Sequence, residues 1–113
     1  MPREALRPEG WLEKLLAEVR QGLEELYGER LQGLYLYGSR ARGEAEPDSD
    51  VDLLIVLDEV EHYGAELDRS AELVSELSLR YDVSISRVLL SASRWREGEG
   101  PFLLTVREDA VAA

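Results

Sequence analysis

The chain has 113 residues, 24 of them acidic and 13 basic, with a formal net charge of −11, 44% hydrophobic residues and no cysteine. That length and balance fit one globular domain, residues 1–113, rather than a disordered chain. The absence of thiols excludes a disulfide framework and a thiolate metal site, and the acidity disfavours direct binding of a phosphate backbone. No apolar run approaches the roughly 18 residues of a membrane span, and residues 1–10 lack the apolar core of a signal peptide, so a cytoplasmic location is expected.

In chain order, Trp11, Leu12, Leu15, Leu16, Val19, Leu23 and Leu26 recur at helical spacing, with Pro8 and Gly10 before them and Gly28 after. Leu34 to Tyr37 read as a short strand broken by Gly38. Residues 43–50, GEAEPDSD, form a polar, turn-rich loop, and residues 51–57, VDLLIVL, a buried strand. Leu67, Ala71, Val74, Leu77 and Leu79 predict a second long helix over 61–81. Residues 82–90, DVSISRVLL, alternate as a half-buried third strand. Ser91 is a candidate N-cap, and Pro101 opens a last short helix. The order predicts an α/β (α+β) fold, a small mixed sheet of three or four strands with helices packed on it.

Asp50 and Asp52 are one residue apart on a predicted strand, so alternation puts both carboxylates on one face, about 7 Å apart. Crowding two like charges is unfavourable unless a cation neutralises them, and hard oxygen ligands suit Mg²⁺ or Mn²⁺. Upstream, Gly38 permits close approach of backbone to a ligand and Ser39 offers a hydroxyl. If residues 39–43 open a short helix, its first amides make a phosphate site. Metal and phosphate sites across two strand ends are a geometry for phosphoryl or nucleotidyl transfer. A calcium loop starting at Asp48 is the rival, but its sixth position, where the sharp turn needs glycine, is Leu53.

The stretch from Leu36 to Val56, LYGSRARGEAEPDSDVDLLIV, resembles the signature of the DNA polymerase beta-type nucleotidyltransferase superfamily: Gly-Ser, a spacer, then Asp-apolar-Asp-apolar. With the tail from Gly100 to Asp109, it is similar to the minimal nucleotidyltransferases, small proteins commonly paired as antitoxins with HEPN-domain toxins. The resemblance implies a polymerase-beta-like fold. It implies that Gly38 and Ser39 hold the phosphates of ATP or another NTP, with Arg42 as a phosphate ligand and Arg40 a weaker candidate. It implies that Asp50 and Asp52 bind the metal. It implies a third acid on the third strand, for which Asp82 is the candidate; Asp82 opens its strand early and reads also as a helix-to-strand turn residue, in which case Ser84 is the alternative occupant.

Two functions follow from the resemblance. One is an Mg²⁺-dependent transferase moving an NMP, AMP from ATP, onto a hydroxyl of a HEPN partner, and so acting as an antitoxin. The other is a catalytically weak nucleotide-binding module that inhibits a HEPN ribonuclease by direct binding. Assembly as a homodimer or a hetero-oligomer fits either. His62 reads as a surface or capping residue, Tyr35 and Tyr37 as packing residues with one ring available to stack on a base, and Trp95 and Phe102 as core or interface.

Overall fold

The computed structural model describes residues 7–113. Helix α1 (Trp11–Tyr27) leads through a 3₁₀ turn (Gly28–Arg30) into β1 (Leu31–Tyr37) and the four-residue helix α2 (Ser39–Arg42). Next come β2 (Val51–Leu57), α3 (Tyr63–Tyr81), β3 (Ile85–Ser91), α4 (Ala92–Glu97), α5 (Pro101–Asp109) and β4 (Val111–Ala112). The sheet order is β3-β2-β1-β4. β1 lies antiparallel to both β2 and β4, whereas β2 and β3 are parallel, with α3 as the crossover that a parallel pair requires.

The sheet is covered on both faces, which is why β2 is an almost unbroken apolar run. Val51, Leu53, Ile55 and Leu57 meet the buried stripe of α1 and Leu77 of α3. Leu54 and Val56 face the other way, onto Val106 of α5, Trp95 of α4, and Tyr35 and Tyr37 of β1. In α1 the buried residues recur every fourth position: Trp11, Leu15, Val19, Leu23 and Tyr27. Gly22 lets α3 approach, because a Cβ there would stand 2.5 Å from Cδ1 of Leu73. Arg87 ties β3 to α3 through Oγ of Ser70 at 2.7 Å and the carbonyl of Leu67 at 2.7 Å. Among the described residues no helix is long and apolar enough to cross a membrane.

The mixed α/β class and the four-stranded sheet match the sequence expectation; several boundaries do not. Leu26 and Leu79, expected to face inward, are 39% and 82% exposed, because the buried stripes pass through Tyr27 and Leu77 instead. β1 begins at Leu31, three residues early, carried there by pairing with Leu57 across an irregularity at Leu31 and Gly33. β3 begins at Ile85, not Asp82. The tail holds two helices, and a short fourth strand completes the sheet by donating from the amide of Ala113 to the carbonyl of Leu34 at 2.9 Å.

Candidate active site

The β1–β2 register places Tyr37 opposite Asp52. Gly38 therefore begins the turn out of β1 directly beside the carboxylate. Its backbone has φ 77° and ψ −159°, a region that residues with a Cβ essentially do not occupy. A Cβ at this position would also collide with Oδ2 of Asp52 and lie 3.3 Å from Cγ. Glycine is required here twice, by backbone conformation and by the proximity of the acid. Two residues of sequence separated by a strand pair thus form one corner: Ser39 starts α2 on one side and Asp52 ends the polar part of β2 on the other.

The amides of Ala41 and Arg42 donate to the Gly38 carbonyl, and the amide of Glu44 donates to that of Ser39. The amides that open α2 have no intrahelical acceptor, as at every helix start. Because α2 spans four residues, it offers individual N–H groups rather than a substantial macrodipole. Ser39 is half-buried at this corner.

Asp52 is half-buried, and Asp50, just before β2, is exposed. Burial raises the Asp52 carboxyl above the ordinary carboxylate range, the Asp50 charge pushes it further up, and the Arg42 charge opposes both. Tyr37 is raised by burial first, then by the charges of Asp52 and Tyr63. Phe102 of α5 meets the Tyr37 ring edge-on, with centroids 6.1 Å apart. The corner is thus an apolar-walled site holding two mutually repelling acids. Carboxylates are hard oxygen donors, so Asp50 and Asp52 could hold a divalent cation such as Mg²⁺.

Arg42 is exposed and lies within electrostatic reach of Asp52. It bonds Oε2 of Glu44 at 3.0 Å and, unforeseen from sequence, Oδ2 of Asp109 at the end of α5 at 2.7 Å. Arg40, the weaker phosphate candidate, has another job. It is buried, its guanidinium lies 5.0 Å from the Trp11 ring, and it donates to the carbonyl of Ser49 at 2.8 Å. It staples the 43–50 loop against α1 and so delivers Asp50 to the start of β2.

Asp82, which the sequence leaves open between a metal ligand and a helix-to-strand turn residue, stands at the turn. It is the C-cap of α3, exposed, with φ 51°, and its carbonyl accepts from Nη2 of Arg7 at 2.5 Å. Among the described residues no three His, Cys, Asp or Glu side chains gather as a metal-holding group, so the structure does not bring Asp82 to Asp50 and Asp52. The parallel register instead sets Ser86 beside Asp52 and, by continuation, Ser84 beside Asp50. His62 stands at the N-cap position of α3, but no side-chain cap bond forms. It lines a cleft with Arg30, Asp58, Glu66 and Arg69.

A family model described as "Nucleotidyltransferase domain" matches residues 16–99. The protein adenylyltransferase MntA of Thermococcus cleftensis is 34% identical over 80 residues, which cover 71% of this chain and 79% of that one. A structure named provisionally as a minimal nucleotidyltransferase is 28% identical, with a TM-score of 0.57 over 98% of this chain and 95% of that one. A toxin–antitoxin crystal structure with AMP-PNP contains a chain of the same fold, 20% identical, with a TM-score of 0.58 over 85% of this chain and 69% of that one.

Proposed function

The chain belongs to the nucleotidyltransferase domain family, and from that premise we propose that it transfers AMP from ATP onto a hydroxyl of a partner protein, a HEPN-domain toxin, and so acts in the cytoplasm as an antitoxin. The observation that carries the reading is the corner where Gly38, required by its backbone conformation and by the nearness of Asp52, sets the start of α2 against the Asp50 and Asp52 face. The naming of a 34% identical relative as a protein adenylyltransferase supports a protein acceptor.

In this reading Gly38 and Ser39 hold the β- and γ-phosphates through backbone N–H groups and the Ser39 hydroxyl. Arg42 exchanges part of its pairing with Asp109 and Glu44 for phosphate oxygens. Asp50 and Asp52 hold Mg²⁺ or Mn²⁺, which when bound offsets the charge of the triphosphate and of the two acids. The acceptor oxygen bonds to the α-phosphorus, the bond from that phosphorus to the bridging oxygen breaks, pyrophosphate leaves, and the hydroxyl proton is released. The Tyr37 ring, met edge-on by Phe102, lies beside Asp52.

One observation favours a second reading. Asp82 caps α3, and among the described residues no three acids gather as a metal-holding group, which suits a catalytically weak nucleotide-binding module that inhibits its HEPN partner by direct binding. Incubation with labelled ATP and Mg²⁺, with and without the HEPN partner, separates the two by intact mass. Added AMP units that disappear in Asp50→Asn are expected. Nucleotide binding with no transfer to any protein would sink the transferase reading in favour of the second.

A further inference from the structure

The following rests on the transferase reading and concerns how many cations its site takes. β2 and β3 are parallel, with Val51 opposite Ile85 and Asp52 opposite Ser86. Neighbouring strands lie about 4.8 Å apart, so a carboxylate at position 86 would reach a cation held by Asp52. What stands there is the exposed hydroxyl of Ser86, with the exposed Ser84 one pleat away. A neutral hydroxyl binds a hard divalent cation far more weakly than a carboxylate and offsets none of its charge.

The acid four residues before Ser86 is committed elsewhere. Asp82 takes the left-handed conformation that ends α3, and Val83 donates to the carbonyl of Ser78 across that cap. Among the described residues no third acid or imidazole joins the pair. Asp50, Asp52, phosphate oxygens and water can fill the octahedral shell of one Mg²⁺. A second cation, about 3.5–4 Å from the first in two-metal sites, would have to be held by the two aspartates and the triphosphate without an anionic ligand from β3.

We propose that Ser86 restricts this site to a single divalent cation, so that the acceptor is activated without a second metal or a carboxylate from β3. The proton of the acceptor hydroxyl then goes to water or to a group of the acceptor's own protein. Position 86 is the determinant because it alone on β3 is paired in register with Asp52.

The test is a count. Mn²⁺ is equilibrated by dialysis with the full chain, alone and again with a non-hydrolysable ATP analogue, and the excess of each ligand on the protein side is measured, Mn²⁺ by electron paramagnetic resonance after acid release and the analogue by absorbance. The expected wild-type count does not exceed about one per chain in either arm, and Ser86→Asp raises it to about two. Ser86→Glu serves as the second variant should the first lose its fold. Two Mn²⁺ in the wild type, or no rise in a folded variant, overturns the proposal. One Mn²⁺ with no analogue bound would overturn the transferase reading and leave the count standing; neither ligand bound would overturn both.

Discussion

Glu66, at the end of the sheet where β2 finishes, and Asp52, where β2 begins, are acids in opposite surroundings. Glu66 is buried, pairs with Arg30, and takes Nε of Arg69 at 3.1 Å. The Arg30 hydrogen bond, with Arg69 in support, holds its carboxyl below the ordinary range. Asp52 has Asp50 as its neighbour, and burial holds its carboxyl above that range. The first acid is neutralised within the chain and stabilises the fold. The second is crowded by a like charge that Arg42 opposes without cancelling. Acidity alone therefore does not mark the site in a chain of net charge −11; what distinguishes Asp52 is that burial and the Asp50 charge outweigh the opposing Arg42 charge.

Gly38→Ala is expected to have the largest effect on this contrast. It strains a glycine-only backbone, at about 1–3 kcal/mol, and displaces the Asp52 carboxylate. Thermal unfolding should fall and Mn²⁺ binding should be lost; a variant that keeps wild-type Mn²⁺ affinity would break the link between this turn and the acid pair.

Glu66→Gln comes next. It removes a charge from between two guanidiniums that are partly exposed, so the cost is discounted to about 1–2 kcal/mol, read by denaturant unfolding at neutral pH, with nucleotide affinity unchanged. The sign with pH follows from the direction of the shift. A carboxyl lowered by folding contributes stability above its unfolded value, and that contribution is lost as pH falls through the folded value. The wild type should thus lose its advantage over Glu66→Gln on acidification. Asp52, raised by folding, has the reverse sign. Without metal, Asp52→Asn should gain on the wild type as pH rises through the range in which Asp52 ionises.

Arg42→Ala should be the mildest. Glu44 is exposed but Asp109 is half-buried, so melting should fall only slightly, while ATP affinity falls by roughly three- to tenfold. An unchanged affinity would leave Arg42 as a tie between α2 and the C-terminal helix only.

Much of the molecule is legible in one dimension. The stripe from Trp11 to Leu23, the run Val51–Leu57, and Gly38-Ser39 followed by Asp50 and Asp52 are local patterns. Helical period, strand alternation and the special backbone of glycine act over a few residues, so the sequence by itself determined the helices and the central strand. Strand pairing is non-local. Whether Asp82 or a serine stands beside Asp52 depends on where α3 stops and how β3 slides against β2, and the left-handed cap at Asp82 shifts that start by three residues. The same holds for Arg40, whose partners are Trp11 and Ser49, and for Arg42, whose partner Asp109 lies 67 residues away. These contacts depend on chain segments that only packing brings together. The tertiary structure therefore decided which arginine braces the loop, which one stays at the site, and which side chain of β3 faces the acid pair.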